Sequence, residues 1–138
     1  MEQRHKPFPY ILACVDPAIR DALILLFNKK FGKKHYFMPT EIGGVKDLLS
    51  PDDPEDKKHL LRKMRKAAKI HEFDLIILVN HSDCGAYRLA GHNFRESKKE
   101  EAFHRAEMEA AAKILKKEFP GIPVKIHYFL KAEQKMAW

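Results

Sequence analysis

Two short stretches of this chain hold side chains that could bind a metal. Cys14 and Asp16 fall in "CVD", and His81 and Cys84 fall in "NHSDCG". Two thiolates and an imidazole are a good donor set for zinc. A catalytic zinc keeps three protein ligands and one open position, whereas a structural zinc is closed by four. The His-x-x-Cys spacing lets one tight loop present both donors, and Cys14 would complete the set from a distant strand. Metal binding would also hold both cysteines as thiolates. The same residues have a plainer reading, because two cysteines in 138 residues can be small buried apolar groups with no ion at all. Spacing alone leaves both readings open.

The elements that must position these residues follow from periodicity. "YILACV" (Tyr10 to Val15) is a short apolar run of the kind a buried strand shows. Asp16 and Pro17 then supply an N-cap and a first helical residue, Ile19, Ala22, Leu23, Leu26 and Phe27 recur at helical spacing, and Gly32 is a stop. This helix also carries Ile24 and Leu25, so it is apolar almost all round and calls for a cover beyond its own sheet. "HYFMPT" (His35 to Thr40) is a weaker strand, and "EIGGVKDLLSPDDP" reads as a turn-rich loop. An amphipathic helix runs from about Pro54 to near His71, and "DLIILVN" (Asp74 to Asn80) is the best strand of the chain. Ser97 and Glu100 form a capping box for a helix with the stripe Phe103, Ala106, Ala110, Ile114 and Leu115. "VKIHYFL" is the last strand, and the tail "KAEQKMAW" matches neither period.

Alternation of strand and helix predicts an α/β fold, a mostly parallel sheet with helices on both faces. Ligands in such sheets bind at the carboxyl ends of strands, where the strand order reverses. An order of 2-1-3-4 would set strands one and three side by side and bring Cys14, Asp16, His81 and Cys84 to one spot. The length suits one domain with a real core.

Bulk composition narrows the classes. Apolar content of 45% with 33% charged residues is that of a soluble globular chain. The net charge of +7 sits mostly on lysines that alternate with glutamates in helical stretches, so it reads as a solvated face and not a nucleic-acid surface. No apolar run approaches the roughly 20 residues of a membrane span. "MEQRHKPFPY" has no apolar signal core, and a cytoplasmic location is the expectation. Two cysteines are too few for a disulfide framework.

"CVD" and "HSDCG" together resemble the beta-class carbonic anhydrases, which carry C-x-D-x-R after the first strand and H-x-x-C-G after the third. "GGVKDL" (Gly43 to Leu48) occupies the place of that family's glycine-containing loop. The resemblance spans Tyr10 to about Leu130 and looks like a short, divergent branch. It implies one zinc-binding domain over residues 1–138, a four-stranded sheet of order 2-1-3-4, and a zinc ion held by Cys14, His81 and Cys84. It implies reversible hydration of carbon dioxide to bicarbonate by zinc-bound hydroxide, in a homodimer or larger homo-oligomer.

The chain departs from the family where the family has arginine, because position 18 is Ala18. In the family that arginine pairs with the aspartate. Without it, Asp16 could become a fourth ligand and close the site. Arg20, one helical turn past Asp16, is the replacement partner within reach, although a helix-surface role would explain it equally. The Gly85 backbone N–H could position substrate, since glycine permits close approach. His92 and His104 are candidates for a proton relay, Asp83 for loop support, and Tyr87 for a pocket wall. Two alternatives accompany this reading: a non-catalytic zinc protein closed by Cys14, His81, Cys84 and Asp16, and a zinc hydrolase acting on carbonyl sulfide or carbon disulfide.

Overall fold

The computed structural model describes residues 7–138. Most of "MEQRHKPFPY", the segment without an apolar signal core, lies outside the described residues. Strand β1 is Pro9–Cys14, with all six residues buried. Helix α1, Pro17–Phe31, starts as the Asp-Pro pair predicts: the Asp16 side chain accepts from the Ala18 N–H, and Gly32, at φ +97°, ends the helix. The weak second strand is shorter than its sequence suggests. Phe37 makes a single parallel bridge with Tyr10, Pro39 then interrupts, and only Thr40–Glu41 pair regularly as β2. A four-residue helix α2, Lys46–Leu49, sits inside the stretch expected to be all loop. Helix α3 is Pro54–Ile70 and strand β3 is Leu75–His81, seven buried residues in a row. Helix α4, Gly85–Leu89, follows after three residues, then α5, Ser97–Glu118, and β4, Val124–Leu130.

The sheet order is β2-β1-β3-β4-β5, where β5 is Lys135–Ala137. The expected parallel 2-1-3-4 order holds, with a fifth strand added antiparallel to β4. The tail hides that strand because its pairing segment is only three residues long. A tight turn with Gln134 at φ +52° reverses the chain, and Met136 then buries against the core.

Strand alternation divides the core into two layers. Tyr10, Leu12, Ile76 and Leu78 face α2, α3 and α5, while Ile11, Ala13, Ile77 and Val79 face α1 and the Tyr87 turn of α4. Helices thus cover both faces.

Helix α5 differs from its sequence reading in two ways. Its N-cap is Glu96, with no side-chain cap bond, so the Ser97–Glu100 box does not form. Its buried face is His104, Met108, Ala111, Ala112 and Leu115, turned from the expected stripe because a polar residue, His104, belongs to the core. No described helix is long and apolar enough to cross a membrane.

Candidate metal centre

Parallel pairing of β1 with β3 brings their carboxyl ends to one edge. Cys14 is the last residue of β1, His81 the last of β3, and Cys84 directly precedes α4. Their ligand atoms all lie within 4.8 Å of one another, and all three residues are buried. The two sulfurs stand 4.0 Å apart, and both cysteines are free. A disulfide needs about 2.05 Å. Two zinc–sulfur bonds of about 2.3 Å at a tetrahedral angle set sulfurs roughly 3.8 Å apart, so the observed separation suits an ion between them.

The loop from His81 to Cys84 is tight because Asp83 turns it, at φ +52°, a conformation Asp tolerates better than most residues. The Asp83 N–H donates to Glu100 Oε2 at 2.8 Å, and Arg88 pairs with the Asp83 carboxylate. Glu100, which local spacing assigned to a helix cap, is instead the anchor of this loop.

His81 is held in the tautomer a metal needs. Its Nδ1 lies 2.6 Å from the Ser82 carbonyl oxygen, which can only accept, so Nδ1 carries the proton. The lone pair is then on Nε2, which is buried without a hydrogen-bond partner among the described residues. An orphaned, buried, basic nitrogen beside two sulfurs is the donor set of a borderline-soft cation such as zinc, and the residues fit one.

The sulfurs are prepared in the same sense. A hydrogen bond from Cys84 holds the Cys14 thiol well below its usual range, with further help from His81 and the Asp16 amide. Sharing that proton, together with burial, pushes Cys84 up. The backbone amides of Tyr87 and Ala86 pull Cys84 the other way, toward thiolate. A cation between the sulfurs would release the shared proton.

Asp16 stands beside the cluster, its Oδ2 3.9 Å from His81 Nε2. Burial works to raise its carboxyl, but hydrogen bonds from Lys131 and the Ala18 amide outweigh it and hold the group below the usual range. The expected role of Arg20 is not what the structure shows. Arg20 pairs with its neighbour Asp21 at 3.6 Å and is 57% exposed, while the cation on Asp16 is Lys131, 2.8 Å from Oδ2.

Gly85 opens α4, and a Cβ there would meet nothing closer than Arg88 Nη2 at 3.8 Å. The chain's own packing therefore does not demand glycine at this position. Tyr87 is both packed and wall-forming. Its hydroxyl donates to Glu107, and with Cys84, His92 and His104 it lines a cavity of about 330 Å³. His104 is fully buried, and burial holds it down at about 4, so it is neutral near pH 7.

Two supporting residues were missed in the sequence. Lys131 follows "VKIHYFL" directly, and the rule that placed Cys14 and His81 at strand ends applies equally to β4. Asn80 alternates with His81, so it faces the α5 layer, where its Nδ2 meets His104 Nδ1 at 3.0 Å.

The chain matches the protein family described as "Putative carbonic anhydrase" over residues 4–137. No curated protein matches it by sequence. Among solved structures it resembles one of two tetrameric beta-carbonic anhydrases from the filamentous ascomycete Sordaria macrospora, with a TM-score of 0.63 and 16% identity over 96% of this chain and 80% of that one. It also resembles a carbonic anhydrase from Streptococcus mutans, with a TM-score of 0.59 and 15% identity over 99% of this chain and 86% of that one. These structural likenesses concern the fold. The family match covers nearly the whole sequence, and the chain belongs to that carbonic anhydrase family.

Proposed function

We propose that this member of the family is a zinc-dependent enzyme for the reversible hydration of carbon dioxide to bicarbonate, with Cys14, His81 and Cys84 as the zinc ligands. The carrying observation is the buried triad whose donor atoms lie within 4.8 Å beside a carboxylate that is not part of it. Zinc in that position would supply a Lewis acid that ionises water near neutral pH. The chain's own groups do the rest. Ser82 fixes the His81 ring through Nδ1, keeping Nε2 turned to the ligand cluster. Asp16, ionised, accepts a hydrogen bond from the attacking water and aims it at the carbon. Gly85, exposed and without a Cβ, leaves its N–H open to a substrate oxygen. His92 lies exposed at the rim of the cavity that Cys84 lines, where it can pass protons to solvent; His104 is held neutral by burial and cannot.

Stopped-flow hydration assays with metal analysis test this reading. Wild type should carry about one zinc per chain and hydrate carbon dioxide faster as pH rises; Cys84→Ser should lose both properties. A zinc-replete wild type that is inert from roughly pH 6 to 9 would overturn it in favour of a closed zinc site.

The same reading includes a cytoplasmic homodimer or larger assembly. Leu25, on the outer side of α1, is 75% exposed, and the Sordaria relative is described as tetrameric. Light scattering at tens of micromolar (roughly where a stable dimer persists) should report more than one chain.

A further inference from the structure

The cation that Ala18 cannot supply to Asp16 comes from the turn after β4. The two oxygens of Asp16 are held separately. Oδ1 accepts from the Ala18 N–H at 2.9 Å as the cap of α1, and Oδ2 receives Lys131 Nζ at 2.8 Å. The cap makes no bond to Oδ2, which is the oxygen 3.9 Å from His81 Nε2. A carboxylate so placed and otherwise unheld would be drawn onto a divalent cation at the triad.

Lys131 is itself fixed in place. Its backbone N–H donates to Ser82 Oγ at 2.8 Å, tying it to the loop that carries His81 and Cys84. Its carbonyl accepts from Gln134 Nε2, and the same nitrogen donates to the Ala18 carbonyl in the first turn of α1. One residue thus connects the turn after β4 to the helix that Asp16 caps. The Lys131 side chain is 26% exposed, and Nζ also lies 3.4 Å from the Asp83 carbonyl oxygen. These ties aim the partly buried ammonium at Oδ2.

We propose that Lys131 is a positioning residue that keeps the Asp16 carboxylate off the metal and so keeps the fourth coordination position open to exogenous ligands. The proposal rests on the metal centre proposed above. Lysine does this as a point charge on a flexible stem, where an arginine would use a planar fork. Only Oδ2 needs a partner here, because the helix cap already occupies Oδ1.

The test uses cobalt-substituted protein and thiocyanate, with the cobalt visible spectrum as readout. In wild type, thiocyanate should shift the cobalt bands, as expected of an open position. In Lys131→Met, which keeps stem length without charge, cobalt should still bind through the sulfurs but the thiocyanate response should be lost. Lys131→Arg should retain the response. Lys131→Met combined with Asp16→Asn should restore it, which shows that the blocking group is the Asp16 carboxylate. A normal thiocyanate shift in Lys131→Met, a silent double variant, or a cobalt-loaded wild type that ignores thiocyanate would each overturn the role of Lys131. Failure of wild type to bind cobalt through sulfur would overturn the metal centre, and the proposal with it.

Discussion

Strand β3 ends in two consecutive residues that meet opposite layers, and each side has a buried imidazole. On the α1 side, His81 is 1% exposed; on the α5 side, His104 is 0% exposed. Each has Nδ1 engaged and Nε2 without a hydrogen-bond partner among the described residues. The partners differ in kind. The Ser82 carbonyl oxygen accepts from His81, so His81 keeps its proton on Nδ1 and a lone pair on Nε2. The Asn80 amide nitrogen donates to His104, so His104 carries its proton on Nε2. The first presents a ligand atom toward two sulfurs. The second presents an N–H among Tyr87, Phe103 and Tyr128. A buried histidine with an idle nitrogen is thus not in itself a metal ligand; the tautomer and the neighbouring donors decide.

The two histidines should come apart on substitution. In His81→Ala, zinc affinity measured by chelator competition should fall by well over the roughly 10- to 100-fold that loss of a supporting hydrogen bond costs, while the fold survives. In His104→Ala, zinc affinity should be unchanged and stability to urea should fall by about 2–5 kcal/mol, as for other large-to-small core changes. If both variants lost zinc equally, the contrast between the two sides would be broken.

Acid should act through buried imidazoles on both faces of the sheet, His104 on the α5 side and His127 on the α1 side. Burial depresses His104 from 6.5 to about 4. Above about pH 6.5 the ring is neutral folded or unfolded, and its full contribution to stability is present. Between there and about pH 4 the unfolded chain takes up the proton first, so stability falls as pH falls, by on the order of 3 kcal/mol across the window. His127 is depressed in the same way, to about 4, and adds to the slope. Urea titrations from pH 7 down to about 4.5 should show a shallower loss in His104→Gln than in wild type. Equal slopes would mean that His104 does not stay neutral in the folded state.

A smaller effect probes the packing behind Asn80. Gly44 sits at φ +62°, and a Cβ there would come within 2.7 Å of Asn80 Oδ1. Gly44→Ala should cost about 1–3 kcal/mol in strain and leave zinc affinity intact. Loss of zinc in that variant would show that the two sides of β3 are coupled.

How legible this was in the sequence depends on the range of each interaction. Strands β1 and β3 are continuous apolar runs that end in polar donors, so the triad could be placed from local pattern plus the strand-end rule. The register that joins Ala13 to Val79 then brings it together. Glu100 was misread because Ser-x-x-Glu is a local capping signal, whereas its actual partner is the Asp83 amide seventeen residues away. The α5 stripe was turned for a related reason: His104 is polar by type but buried through Asn80 and aromatic contacts, which periodicity does not register. Arg20 is the candidate partner that sequence offers, because i, i+4 reach on a helix is visible there. A lysine from the turn after β4 enters only once β4 is known to lie beside β3.

X-ray absorption at the zinc edge of the loaded wild-type protein tests the metal centre most directly. Two sulfur scatterers at about 2.3 Å and nitrogen or oxygen scatterers at about 2.0–2.1 Å would be the signature of Cys14, Cys84 and His81 with one further light atom. A shell with one sulfur or none, or a protein that takes up no zinc, would contradict it.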